Sequence, residues 1–292
     1  MPPGNLIDGR AIAAQVQSEL AGRVAALKAR GLHAGLAFVR VGEDPASKVY
    51  VGRKEKACAE LGIFSETHVL PESTSQGQLL ALLEKLNADS RLHGILVQTP
   101  LPKPIREPVV SAAIAPHKDV DGFHPLNVGK LMLADLTGFQ PCTPAGIVEL
   151  LVRANVKIEG ADAVILGRGN LVGKPLAAML CQKGRRANAT VTICHSATRD
   201  IHQHCRGADI LVAAIGVAEF VKAHMVKPGA TVIDVGVNRV NGKLVGDVDF
   251  AAVQKIAGKI TPNPGGVGPM TIAMLMSNTV RAAENSLTHL TN

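Results

Sequence analysis

Apolar positions along this chain fall into short β-branched runs separated by stripes at helical spacing, and the alternation occurs twice. In the first half, residues 36–41 read as a strand, Pro45–Leu61 as a helix, 67–70 as a strand, 76–87 as a helix and 94–98 as a buried strand. Upstream, residues 8–30 carry Ile12, Val16, Leu20, Val24 and Leu27, an apolar stripe that predicts a helix. In the second half, 163–166, 190–194, 210–214 and 231–235 read as strands, 174–182 as a helix, and 269–284 as a closing helix after a glycine-rich turn. Strands separated by helices need crossover connections, which build parallel sheets. Between them, prolines at 100, 102, 104, 108, 116, 125, 141 and 144 predict a stretch without regular structure and a domain boundary near residue 140. Thr143-Pro144 then has the form of a helix start, a hydroxyl cap followed by proline.

The 292 residues suffice for two domains at about 150 residues each. Apolar residues make up 47% and charged residues 19%, an ordinary globular balance. With Phe 6, Tyr 1 and Trp 0, the chain lacks the rings of a base-stacking surface. Its net charge of +7 is spread out and suits anionic small substrates as well as it suits nucleic acid, but no basic run exceeds Arg185-Arg186. Nucleic acid is not expected as a partner. The five cysteines, Cys58, Cys142, Cys181, Cys194 and Cys205, form no CxxC and are expected to be reduced, buried thiols. His202, His204 and Cys205 read as a polar surface turn rather than a metal site, and no metal is expected. The opening MPPGNLIDGR has no charged n-region or apolar h-region, and the longest apolar stretch, 210–220, is broken by Gly216 and Glu219. The expectation is a cytoplasmic protein with no membrane segment.

The strand at 163–166 runs into Gly167-Arg168-Gly169-Asn170-Leu171-Val172-Gly173 and then a helix, the setting of a dinucleotide-binding turn. Gly167 permits the turn, Gly169 lets backbone approach a pyrophosphate and Gly173 lets helix pack on sheet; a purely structural turn is the alternative. At the end of the next strand stand Cys194-His195-Ser196 rather than an acidic residue, with Arg168 and Arg199 nearby. That favours NADP over NAD, unless both arginines are merely solvated.

Ser47, Tyr50 and Lys54 share one helical stripe, so a hydroxyl, the single tyrosine and an ammonium point the same way. In an apolar cleft such a lysine has its pKa lowered and can act on a reacting group; otherwise it snorkels beside a half-buried tyrosine. Gln98 ends a parallel strand, where open α/β sheets bind ligands, and Asp121 sits in a proline-bounded loop, either as a site residue or as an ordinary turn aspartate. Together they outline a cleft between two domains.

In this order, the blocks VGEDPASKVYV with Lys54, GILVQ with PLP, KDVDG, PCTP, GR…VGKP, CHS, VIDVG and TPNPGGVGPMT resemble the methylenetetrahydrofolate dehydrogenase/cyclohydrolase family over nearly the whole chain. The resemblance implies an α/β fold of two domains, each a mainly parallel sheet flanked by helices, the second a Rossmann-type NADP-binding domain. It implies residues 1–140 plus 270–292 as a folate-binding catalytic domain and 141–269 as the nucleotide domain. It further implies oxidation of methylenetetrahydrofolate to the methenyl compound with NADP, then hydrolysis to formyltetrahydrofolate, in a homodimer joined through the nucleotide domains. By the same resemblance Lys54 activates water or stabilises the transition state, Gln98 tunes it, Tyr50 positions the folate and Asp121 hydrogen-bonds the pterin. Ser47, Leu101, Pro262, Gly265, Gly266 and Thr271 would line the folate site. Gly167, Arg168, Gly169, Val172 and Gly173 would hold the phosphates, His195 and Ser196 the adenosine end, and Val237 the nicotinamide side. Position 169 departs from the family's usual serine, which implies retained cofactor binding with fewer pyrophosphate contacts. The runner-up readings are a two-domain oxidoreductase acting on a shikimate-type acid and a non-enzymatic nucleotide-sensing or nucleic-acid-binding module.

Overall fold

A computed structural model of the chain describes residues 5–289. The chain packs as two units: residues 5–14 with Thr143–Thr271, and Gln15–Cys142 with 272–289. The unit boundaries fall inside the first helix, α1 (Gly9–Ala29), and the last, α10 (Val267–His289).

The unit holding Gln15–Cys142 is built on β1 (Gly35–Val41), β2 (Phe64–Leu70) and β3 (Gly94–Val97), a parallel sheet in the order β2-β1-β3. All seven residues of the central strand β1 are buried, which is why its sequence is a continuous apolar run with one buried arginine rather than an alternation. Helix α2 (Pro45–Leu61) starts where the Asp44 carboxylate accepts the Ser47 amide at 2.7 Å, and stops at Gly62, whose φ of 70° closes the C-cap. Helix α3 (Gln76–Ala88) carries a full capping box, Ser75 with Gln78, and buries Leu79, Leu83 and Leu86 against Val39, Val41 and Ile95. Each of these leucines contributes about 1.5–3 kcal/mol by burial.

The proline-rich stretch is more regular than its composition predicts. It contains α4 (Glu107–Ala113) and α5 (Pro125–Met132), followed by α6 (Cys142–Arg153), which begins one residue before the expected Thr143 cap. Pro108 and Pro125 occupy the first turns of their helices, where the missing N–H costs nothing. Strand β2 begins three residues earlier than the periodicity predicts, because seven consecutive residues pair with β1.

The other unit contains β4 (Asp162–Leu166), α7 (Gly173–Leu180), β5 (Thr190–Cys194), α8 (Ile201–Gly207), β6 (Ile210–Ala213), β7 (Thr231–Asp234), the hairpin β8 (Asn238–Val240) and β9 (Lys243–Val245), α9 (Phe250–Val253) and β10 (Lys259–Ile260). Five strands form a parallel sheet ordered β10-β7-β6-β4-β5. The chain moves outward from β4 to β5 and then returns to the other side of β4 with β6. The topological switch point therefore lies between β4 and β6.

The division differs from the expected one in the residues before α1. Ile260 N donates to Asn5 O and Ile7 N to Ile260 O, both at 2.8 Å, while the Asn5 side chain caps the carbonyls of Gln254 and Ala257. These bonds join residues 5–14 to the edge of the five-stranded sheet; residues 1–4 and 290–292 of the expected division lie outside the described residues. Among the cysteines Cys181 is exposed and the other four are buried. No helix among the described residues is long and apolar enough to cross a membrane.

Candidate active site

Helix α2 sets Ser47 and Lys54 on its buried side, 4% and 8% exposed, with Tyr50 at the margin, 37% exposed. The Lys54 amine donates to Gln98 Oε1 at 3.0 Å, and Gln98 Nε2 donates to the Thr99 carbonyl at 2.8 Å. Gln98 follows β3 directly and donates its backbone amide to Val39 O, so the sheet fixes the residue that holds the lysine. The bond to Thr99 fixes the orientation of the Gln98 amide and turns its acceptor oxygen toward the amine. Burial pushes Lys54 below the ordinary lysine value, opposed by the negative charge of Asp121 and by Cys142.

Asp121 faces this cation. Burial pushes its carboxyl up, and nearby Lys54 pulls it back down. Burial disfavours the charged form of both groups, and each one's charge partly offsets that for the other. The Asp121 loop is held rigidly. The Asp119 carboxylate, 2% exposed, accepts the amides of Gly122, Phe123 and His124 at 3.1, 3.2 and 2.7 Å and the Asn127 side chain at 2.8 Å. On the other side Asn278 Nδ2 of α10 donates to Val120 O at 2.8 Å and to Gln140 O at 3.1 Å. Gly122 has φ 79°, and a Cβ there would run into the Gln140–Pro141 backbone. Asp119 stands in the sequence as an aspartate before a turn glycine, a legible turn signal; the reach of Asn278 from the far end of the chain carries none.

The glycine loop leaves β4 at the switch point. Gly167 has φ 114°, its N–H donates to Cys194 O at 2.8 Å, and a Cβ would collide with the Ala214 carbonyl. A Cβ at Gly173 would collide with the Gly167 carbonyl. The two glycines thus answer to the backbone of their own unit. Val172 precedes α7 without any side-chain cap; Lys174 N donates to Gly169 O at 3.2 Å and Pro175 carries no N–H, which leaves the Gly173 amide of the first turn for an anion. The loop's chemistry fits a pyrophosphate. Gly169 is different: its position is exposed and a Cβ would meet no atom within 4 Å, so nothing in the fold demands glycine there. Arg168 is exposed beside it. At the end of β5, His195 N donates to Thr198 Oγ1 at 2.8 Å and His195 Nδ1 accepts the Ala197 amide at 3.2 Å, with Ser196 exposed.

The structure therefore gathers Ser47, Tyr50, Lys54, Gln98, Leu101 and Asp121 in the unit of Gln15–Cys142, and gathers the loop residues 167–173, His195, Ser196 and Val237 in the other. Val237 follows β7 and is 54% exposed. Pro262, Gly265, Gly266 and Thr271 also belong to the latter unit, with the Thr271 and Thr143 hydroxyls 2.9 Å apart and Gly266 packed under Thr261. Cys142, missed as a site residue, is buried next to Asp121 and donates to Val120 O at 3.3 Å; burial pushes its thiol well above the usual range, so it is a packing group and not a thiolate. Among the described residues no group of three or more His, Cys, Asp or Glu is placed to hold a metal ion.

Residues 7–121 match the model of the tetrahydrofolate dehydrogenase/cyclohydrolase catalytic domain, and residues 141–287 match that family's NAD(P)-binding domain. The Bifunctional protein FolD of Moorella thermoacetica is 56% identical over 282 residues, covering 96% of this chain and 99% of that one. Among solved structures, the bifunctional methylenetetrahydrofolate dehydrogenase/cyclohydrolase of Campylobacter jejuni superposes with a TM-score of 0.93 at 48% identity, covering 96% of this chain and 99% of that one. The Trypanosoma brucei enzyme, solved with NADP cofactor and inhibitor, gives 0.92 at 40% identity, with 98% and 99% covered.

Proposed function

The chain belongs to the tetrahydrofolate dehydrogenase/cyclohydrolase family, and on that premise we propose that it oxidises 5,10-methylenetetrahydrofolate with NADP and then hydrolyses the methenyl product to 10-formyltetrahydrofolate. The observation that carries the reading is the buried Lys54 amine held on Gln98 within hearing of the Asp121 charge.

NADP supplies the acceptor for the hydride that leaves the methylene carbon. That step yields a cation delocalised over two nitrogens and needs positioning more than proton transfer. We assign positioning of the folate to Tyr50, Ser47 and Leu101, and the pterin contact to Asp121. Hydrolysis is more demanding, because water must add to the cationic carbon and a C–N bond must then open with a proton delivered to nitrogen. Lys54 is suited to both halves. With its pKa lowered, the amine can take a proton from water as it adds and return one to the departing nitrogen, while Gln98 keeps it aimed. The backbone amides at Gly169 and Gly173, with Arg168, are assigned to the cofactor phosphates, Gly167 shaping the turn while its own amide is held by Cys194 O, and His195 and Ser196 to the adenosine end, where no carboxylate repels a 2'-phosphate. Val237 is assigned to the nicotinamide side. A shikimate-type substrate would leave the Lys54–Gln98 pair without a task.

The reading extends to assembly and location: a homodimer through the nucleotide-binding unit, in the cytoplasm, on the strength of the family resemblance. Sedimentation at micromolar concentration tests the former, with a monomer counting against it. The function is tested by following absorbance of the purified protein with methylenetetrahydrofolate and either nucleotide. NADP reduction followed by decay of the methenyl absorbance is expected; equal rates with NAD would overturn the cofactor preference, and no reduction with either would overturn the whole assignment.

A further inference from the structure

Two carboxylates lie at the carboxyl end of the five-stranded sheet, outside the loop that the glycines build. Asp234 ends β7 and Asp247 follows β9, and they are 2% and 0% exposed. Asp247 Oδ2 accepts the backbone amides of Ile215 and Gly216 at 2.7 and 3.0 Å, and its Oδ1 accepts the Asn238 side chain at 2.9 Å. Asp234 Oδ1 accepts the Asp247 amide at 2.8 Å and Oδ2 the Val248 amide at 3.4 Å. A Cβ at Gly236 would collide with the Asp247 carboxylate, and one at Gly246 with that of Asp234. Backbone closes around both groups with no room for a larger residue.

Burying two acids side by side is unfavourable, and burial raises Asp234 to about 7 despite its backbone donors. An apolar pair would pack here at lower cost unless the carboxylates hold something that matters. What they hold is specific. Ile215 and Gly216 form the loop after β6, one wall of the switch point whose other wall is the Gly167 loop. Asn238 opens the segment after β7 that contains Val237.

We propose that Asp247 is a positioning residue for the dehydrogenase step, fixing the loops after β6 and β7 in the arrangement that binds NADP, with Asp234 fixing Asp247 in turn. The inference rests on the assignment of NADP to this sheet end. Hydrolysis of the methenyl compound needs no nucleotide, so the two activities separate a local positioning role from general damage.

The test measures both activities in Asp247→Ala, Asp247→Asn and Asn238→Ala, with methenyl hydrolysis assayed in the absence of nucleotide. Asp247→Ala strands two backbone amides, and is expected to raise KM for NADP about tenfold or more while hydrolysis stays within about twofold. Asp247→Asn keeps an acceptor oxygen for Ile215 and Gly216 and is expected to recover most of that loss. Should the alanine variant not fold, Asn238→Ala removes one support from outside the core and is expected to raise KM for NADP about threefold. An unchanged KM for NADP in Asp247→Ala or Asn238→Ala, an equal fall in both activities, or no rescue by asparagine would overturn the inference. Wild-type protein that hydrolyses the methenyl compound but never reduces NADP would overturn the cofactor assignment along with it.

Discussion

Lys54 is an amine that burial pushes toward its neutral form, whereas Gly167 and Gly173 are positions where the backbone leaves no space for a side chain. In the unit of Gln15–Cys142 the proposed chemistry rests on two titratable groups shifted by burial and by each other, Lys54 and Asp121, with Gln98 holding the amine. In the other unit the loop after β4 is shaped by backbone collisions that glycine avoids at 167 and 173. On the proposed roles, one chain carries two activities that substitutions separate. Those in the first region are expected to change the energetics of proton transfer, and those in the second whether a ligand fits.

The sharpest break comes from Lys54→Met, which preserves length and apolar contact but removes the amine. Methenyl hydrolysis is expected to fall about 10²–10⁴-fold, the usual worth of a positioned acid or base, with NADP-linked oxidation still measurable. Equal loss of both would take the lysine out of its role. Gly173→Ala puts a methyl into the Gly167 carbonyl and is expected to raise KM for NADP by about 10²-fold while nucleotide-free hydrolysis persists. Asp121→Ala is expected to weaken folate binding about tenfold or more and leave NADP affinity within about twofold, read by titrating each ligand separately.

A smaller effect concerns stability. The folded protein keeps the Asp234 proton up to about pH 7, whereas an unburied carboxyl releases it near 3.8. The folded state binds more protons between those values, so this group costs stability progressively as pH rises through that window. Asp234→Asn removes the penalty, and its melting temperature relative to wild type is expected to be higher at about pH 8 than at about pH 4.5. A difference independent of pH would mean that the acid is ionised in the folded protein. The smallest effect is Gly169→Ser, which adds a hydroxyl into open space and is expected to tighten NADP by about two- to fivefold. Weaker binding would show that the glycine is needed for backbone freedom after all.

Much of this was legible along the chain. The stripe at Ser47, Tyr50 and Lys54 was readable because helical periodicity places i, i+3 and i+7 together, and Asp44-Pro45 and Gly62 mark the helix ends chemically. The Gly167 and Gly173 positions were readable because turns that exclude a Cβ leave glycines at set spacing. Helices α4 and α5 were hidden by their own prolines, which break a helix interior but sit easily in a first turn. Asn241-Gly242 between β8 and β9, both at positive φ, is a hairpin signature that the helix-strand alternation masked.

Periodicity, caps and glycine punctuation are local, and the sequence by itself therefore determined most of the strands and the longer helices, the parallel α/β class and the resemblance that points to folate and NADP. The tertiary structure alone decided that residues 5–14 join the nucleotide unit, that Asn278 steadies the Asp121 loop from more than a hundred residues away, and that Asp234 and Asp247 share one buried pocket. Each of those depends on which backbone groups are left needing a partner once the sheets have formed, and local periodicity carries no record of that.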